Sequence, residues 1–110
     1  MALMRKRAGE AARQWPMLAA GLGDRWIPVF AAWAAARPTN GSLRDGWDLA
    51  RDLRVRGALP VLAAPELATR EVTLRYDGAT APRPRRGPAV RVTAGNLAVQ
   101  VAGRLRTLRW

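Results

Sequence analysis

The sequence predicts an α+β fold that is mainly α, in which three or four helices precede a small antiparallel sheet. Up to residue 78, apolar residues recur every three or four positions, as they do on the buried face of an amphipathic helix. Beyond residue 88 the repeat shortens to two, the period of a strand. We therefore predict a helical domain over residues 1–78, a basic Pro-rich linker over 79–88, and a β-hairpin or three-stranded sheet over 89–110.

The first helix carries one apolar stripe, and a proline interrupts it. Pro16 has no amide hydrogen and restricts Trp15, so the helix is expected to end there and a new turn to begin. Gly23 suits a left-handed helix stop, and Asp24 can accept hydrogen bonds from the first amides of the next helix. The predicted buried stripe comprises Met4, Ala8, Ala11, Trp15, Leu18 and Leu22.

The second helix is expected from about Arg25 to Arg37, because Pro38 ends it. Its aromatic residues Trp26, Phe30 and Trp33 share one side, which favours burial.

Ser42, with Asp45 three residues on, resembles a capping box and predicts a third helix over about residues 43–54. Gly57 is expected to follow its end. Pro65 can start a fourth helix, which we place from about Pro65 to Tyr76.

Three prolines within residues 82–88 exclude a helix or a central strand there, so this stretch is predicted to be extended. Val90 and Val92, and then Leu97, Val99 and Val101, alternate with other residues on either side of an Ala-Gly-Asn turn. This pattern predicts a hairpin, and the reversal at residue 103 allows a third strand. Because two or three strands alone are marginal, the sheet should lean on the helices or on a partner.

The composition argues against catalysis. The chain has no cysteine and no histidine, which removes thiol nucleophiles, the usual general base and the common transition-metal ligands. We therefore expect no enzyme activity, no catalytic residue, no metal and no cofactor. No apolar segment follows the first basic residues, and none approaches the roughly 20 residues of a membrane span. The expectation is a cytoplasmic protein that does not enter a membrane.

Charge is distributed unevenly along the chain, whose net charge is +11. All eight acidic residues precede residue 79, whereas the last 32 residues contain seven arginines and no acid. Such a cluster either keeps a small sheet soluble or contacts phosphates or an acidic protein surface. The terminal indole could stack on a base, anchor a partner or pack on the helices. The candidate partner-binding residues are Arg83, Arg85, Arg86, Arg91, Arg104, Arg106, Arg109 and Trp110.

Asp45, Asp48 and Asp52 follow helical spacing and share one stripe, which could in principle hold a divalent cation. Arginines lie at neighbouring positions, so a solvated face laced with ion pairs is the favoured interpretation.

Residues 3–76 resemble the HvfC/BufC family, which is described as a DNA-binding domain and accompanies multinuclear non-heme iron oxidases that modify ribosomal peptides. The resemblance lies in a basic helix, Trp15-Pro16-Met17-Leu18, Leu22-Gly23-Asp24, an aromatic helix, Arg37-Pro38-Thr39 and Ser42-Leu43. The chain is also similar to uncharacterised actinobacterial proteins that share the segments at residues 75–78 and 81–86.

The resemblance implies a non-catalytic accessory protein that binds an iron-dependent oxidase and helps present its precursor peptide. Two alternatives stay open. The Arg-rich C-terminal third could bind nucleic acid, although no helix shows a basic face with base-reading side chains. The chain could also be a cytoplasmic scaffold for another partner.

Overall fold

The computed structural model describes residues 2–85 with their side chains and the backbone of residues 89–93, 96–101 and 104–109. The chain forms two compact units, Met1–Ala63 and Ala64–Trp110. The first contains α1 (Ala2–Gln14), α2 (Pro16–Leu22), α3 (Trp26–Ala34) and α4 (Ser42–Val55). The second contains α5 (Ala64–Thr73), β1 (Leu74–Arg75), β2 (Arg83–Pro84), β3 (Ala89–Thr93), β4 (Asn96–Val101) and β5 (Arg104–Arg109).

The predicted fold class is confirmed as α+β and mainly α. The division between the two units precedes α5, whereas the sequence suggested one helical domain through residue 78. These units are defined by contacts within each part of the chain and do not test the boundaries at 1–78, 79–88 and 89–110, which stay a prediction. None of the described helices is long and apolar enough to cross a membrane.

The tryptophans of the helical unit form its core, as their spacing predicted. Trp15, Trp26, Trp33 and Trp47 are all buried. Trp15 meets the edge of Trp47 with ring centroids 5.8 Å apart, and its Nε1 donates to the Leu43 carbonyl at 2.9 Å. Because the buried indole has its polar atom satisfied, it can fix α1 against α4 without a desolvation cost.

Gly46 allows this close approach. A Cβ built at Gly46 would lie 2.1 Å from Trp15 Cδ1, which is far inside van der Waals contact. The backbone of α4 therefore lies directly against the Trp15 ring, and only glycine fits at this position.

A buried ion pair also joins α1 to α4. Arg7 Nε and Nη2 donate to the two Asp45 oxygens at 2.8 and 3.0 Å, and Arg7 Nη1 donates to the Arg37 carbonyl at 2.7 Å. Thr39 Oγ1 lies 2.7 Å from Asp45 Oδ2. The network holds the loop between α3 and α4 against α1, since two of its members belong to that loop.

This network corrects two sequence expectations. Asp45 was predicted to cap α4 and to lie on a solvated face, but its side chain is buried and bonded to Arg7. The residue before the helix is Gly41 rather than Ser42, and no side-chain cap bond forms there. The solvated part of the predicted stripe is confirmed at Asp52, which pairs with Arg56 at 2.9 Å.

The helix ends follow the sequence only in part. A separate short helix begins at Pro16, as predicted. Gly23 has a positive φ of 55°, but its ψ of −125° is not that of the predicted left-handed helix stop, and Asp24 makes no cap bond to α3. The second predicted helix is shorter than expected and ends at Ala34 instead of residue 37. Gly57, at a φ of 70°, terminates α4 as predicted, with the Ala58 amide bonded to the Leu53 carbonyl at 2.8 Å.

The fourth predicted helix was placed too long. It ends at Thr73 rather than Tyr76, and Leu74 and Arg75 form β1 instead. Thr73 Oγ1 bonds back to the Thr69 carbonyl at 2.6 Å, and β-branched residues such as Thr73 have low helix propensity. Pairing of β1 with β2 then takes up the backbone groups that a longer helix would have used.

The C-terminal strands pair in the order β3-β4-β5, all antiparallel, which bears out the three-stranded version of the predicted sheet. Helix α5 lies against this sheet and approaches β3 and β4 most closely. The expectation that the sheet leans on a helix is therefore confirmed.

Candidate functional site

The predicted partner-binding residues fall into three groups. Arg83 and Arg85 belong to the fully described part of the chain, and Arg83 is exposed. Four others occupy strands described by their backbone, namely Arg91 on β3 and Arg104, Arg106 and Arg109 on β5. Arg86 and Trp110 lie outside the described residues.

The strand register separates the arginines of the sheet. Arg91 is opposite Ala98, which is opposite Thr107, so these three positions share one face with Arg109. Arg104 and Arg106 alternate with Thr107 and belong to the other face. The basic cluster of the sequence is therefore distributed over both faces, and β5 brings three of its members to one edge.

Strand β5 is an edge strand. Within the described strands it pairs only with β4, over all six residues from Arg104 to Arg109. An edge strand presents backbone donors and acceptors along its outer side, to which another extended chain can add. A six-residue edge without proline or acid is therefore a candidate site for an extended peptide.

Arg85 serves the structure of the second unit. Its Nε donates to the Glu71 carbonyl at 2.6 Å, and its backbone amide donates to the Thr73 carbonyl at 3.2 Å. Carbonyls in the last turn of a helix have no partner within that helix. Arg85 thus ties residues 83–85 to the end of α5, in addition to any contact it makes with a partner.

A second cluster appears in the loop that joins β1 to β2. Asp77 Oδ1 accepts the backbone amides of Ala79 and Thr80, both at 2.8 Å, and Thr80 Oγ1 lies 3.1 Å from Asp77 Oδ2. Gly78, at a φ of 84°, provides the left-handed residue of the turn. The Thr80 amide, followed by that of Ala79, lowers the pKa of Asp77 from 3.8 to about 2.

The low pKa of Asp77 predicts acid loosening confined to this loop. Because the pKa is depressed in the folded state, the ionised carboxylate contributes fully above pH 3.8, and its contribution is lost as the pH falls towards about 2. We expect the amide resonances of Ala79 and Thr80 to titrate with a midpoint near that lower value. An NMR pH titration measures it, with Asp77→Ala as the control in which this transition disappears. A midpoint at 3.8 would contradict the hydrogen-bonded turn.

The same loop lines an open cleft of about 630 Å³. Arg75 and Arg83 are directly opposite each other across β1 and β2, and both are exposed. Sequence reasoning missed Arg75, since residues 74–76 were assigned to a helix. The Asp77-Gly78 turn could have indicated the pairing of these two arginines, because it lies near the centre of the segment that joins them. The lining residues are Arg75, Asp77, Thr80, Ala81, Arg83 and Pro84.

The aspartate stripe of α4 does not converge into a metal site. Asp45 is bonded to Arg7 and Thr39, and Asp52 is paired with Arg56. Among the described residues, no three carboxylate, histidine or cysteine side chains are grouped closely enough to hold a metal ion.

Comparison with known proteins identifies the helical part of the chain. A family model described as the SCO6045-like C-terminal domain matches residues 1–55, which is half of the chain and ends at the last residue of α4. The chain therefore belongs to the SCO6045-like family. No curated protein and no solved structure shows significant similarity to it.

Proposed function

We propose that this member of the SCO6045-like family is a non-catalytic accessory protein that binds an extended acidic peptide along β5. The observation that carries the proposal is the edge position of β5, which pairs only with β4 among the described strands. Main-chain hydrogen bonds along such an edge provide affinity, and the side chains beside it provide selectivity.

The charge of β5 supports an acidic ligand. Arg104, Arg106 and Arg109 lie on this strand, and the last 32 residues contain no acid. Arginine–carboxylate hydrogen bonds are charge-assisted and often bidentate, so they favour glutamate or aspartate in the added strand. The opposite edge strand, β3, carries one arginine and is one residue shorter.

The resemblance to the HvfC/BufC family supports a more specific role. It suggests that the peptide is a ribosomal precursor and that the recipient is an iron-dependent oxidase in the cytoplasm. Genes for this chain and for such an oxidase should then lie side by side, and the two proteins should copurify when coexpressed. If no genome pairs the two genes, the oxidase part of the proposal fails while peptide binding at β5 is unaffected.

Strand addition predicts that a proline in β5 abolishes binding. The probe is a fluorescein-labelled dodecapeptide of alternating glutamate and valine, and its affinity is measured by fluorescence anisotropy. Because proline cannot donate to a ladder and disturbs the strand, Leu105→Pro and Thr107→Pro, tested separately, should each weaken binding at least tenfold. Because these residues are two apart, their amides point to the same side of β5, so the two variants should show similar losses.

Charge reversal on β5 tests whether this strand selects acidic over basic peptides. Changing Arg104, Arg106 and Arg109 to glutamate should remove binding of the acidic peptide and favour a matched lysine–valine peptide. The control reverses three exposed arginines of the helical unit, Arg5, Arg13 and Arg25, which changes the net charge equally. Equal losses in both triple variants would show that only net charge matters, which contradicts a site on β5.

The nucleic-acid alternative gives a different result in the same assay. Duplex DNA bound through phosphates would show log affinity falling against log salt with a slope of about −0.9 per phosphate contact. DNA binding that is lost in the β5 triple variant, together with no binding of the acidic peptide, would replace the peptide proposal. Binding of neither probe would leave a scaffold role and contradict the proposal.

A further inference from the structure

The cleft between β1 and β2 is lined by two exposed arginines. Arg75 and Arg83 are opposite each other in the register of the β1–β2 pair, and both line the cleft. Their backbones belong to the β1–β2 pair, but neither side chain forms a hydrogen bond or ion pair with another residue that the structure describes. Like charges directly opposite each other on a sheet repel, and a bound anion would reduce the repulsion between these two guanidinium groups.

The remaining polar groups of the cleft limit which anion fits. Asp77 is also a lining residue, and its carboxyl group is ionised at neutral pH. Two arginines and one carboxylate leave the lining with one net positive charge, which matches a monoanion better than a phosphate dianion. Two guanidinium groups can together supply several donors to one carboxylate.

We propose that Arg75 and Arg83 form a clamp for the carboxylate of one acidic side chain in the bound peptide. This inference rests on the proposed function in taking that peptide to be acidic, but it involves residues outside β5. It assigns a role to the side chains of these two exposed arginines, for which the described part of the chain shows no ion pair. The Asp77–Thr80 turn is a positioning element, because its hydrogen bonds fix the conformation of the loop that joins β1 to β2.

The first test removes the clamp while β5 stays intact. In the anisotropy assay with the glutamate–valine peptide, Arg75→Gln/Arg83→Gln should weaken binding about tenfold or more. The control Arg5→Gln/Arg13→Gln removes the same charge from an exposed helix face and should change affinity less than twofold. The clamp variant should be at least as thermally stable as the wild type, because a like-charge pair is removed.

The outcomes separate the two proposals. Peptide binding that is lost with a proline in β5 and unchanged in Arg75→Gln/Arg83→Gln would overturn the clamp and leave the proposed function standing. Loss in the clamp variant alone would support the clamp and contradict strand addition at β5. Equal loss in the clamp variant and its control would overturn the clamp, because it would reflect net charge alone.

A second test uses small probes and does not depend on the peptide. Titrating the full chain with propionate, a monoanion with a single carboxylate, should shift the side-chain Nε–H resonances of Arg75 and Arg83 with one common saturation curve. Inorganic phosphate should shift them less at equal concentration and ionic strength. Absence of a saturable shift, or a stronger response to phosphate, would overturn a carboxylate clamp.

Discussion

Replacing Asp45 with alanine is expected to lower the free energy of unfolding by about 3–5 kcal/mol, because it removes a buried carboxylate and leaves the largely buried Arg7 without its counter-ion. Arg7 donates to both Asp45 oxygens, and the two side chains are only 16% and 4% exposed. Native domains are stable by about 5–15 kcal/mol in total, so the variant should unfold at much lower urea concentration or temperature. Urea titration followed by circular dichroism measures the change.

Asp52→Ala is the matched control for this substitution. Asp52 lies on the same helix as Asp45 and pairs with Arg56, the residue directly after that helix, but the two side chains are 39% and 57% exposed. Its removal should cost only about 0.3–0.5 kcal/mol. If Asp45→Ala fails to fold, the double variant Arg7→Met/Asp45→Leu should recover part of the stability, because it removes both charges together. Similar losses for Asp45→Ala and Asp52→Ala would contradict the buried pair.

The second large effect is expected at Gly46. An alanine Cβ would lie 2.1 Å from Trp15 Cδ1 and 2.5 Å from Trp15 Nε1. Trp15 cannot move aside easily, since it is fully buried and hydrogen-bonded to the Leu43 carbonyl. Overpacking of a core usually costs about 1–3 kcal/mol, and we expect Gly46→Ala to reach the upper end of that range.

Gly9→Ala is the appropriate control for Gly46→Ala. Gly9 lies within α1, and a Cβ at this position would meet no atom within 4 Å. Alanine should therefore raise the free energy of unfolding by about 0.5–1 kcal/mol through helix propensity alone. Opposite signs for the two substitutions are the expected result. If Gly46→Ala is neutral, the backbone of α4 does not lie against the Trp15 ring.

The sequence predicted those parts of the fold that depend on local causes. Pro16 and Gly57 mark helix boundaries through their own backbone restrictions, and the four tryptophans of the first unit follow the apolar period. The Arg7–Asp45 pair was missed because its members are 38 residues apart, and nothing local distinguishes Asp45 from its solvated neighbours. Because Asp45 bonds to Arg7, it does not form the predicted cap at the start of α4.

The candidate sites were predictable to a lesser degree. Charge patterning located the arginines of residues 79–110, but it could not give the register that distributes them over two faces of the sheet. Arg75 was missed because the choice between helix and strand at residues 74–75 depends on pairing with Arg83 and Pro84. Such pairing between distant residues is decided by tertiary structure, which overrides local propensity.

Hydrogen exchange of the β5 amides during peptide binding is the most direct test of strand addition. In an antiparallel edge strand, alternate amides point away from the sheet and have no partner until another strand is added. With the glutamate–valine dodecapeptide at saturation, NMR-detected exchange should slow at every second residue of Arg104–Arg109, while the amides already bonded to β4 stay protected. Saturable binding that leaves exchange along β5 unchanged would contradict peptide capture at this edge.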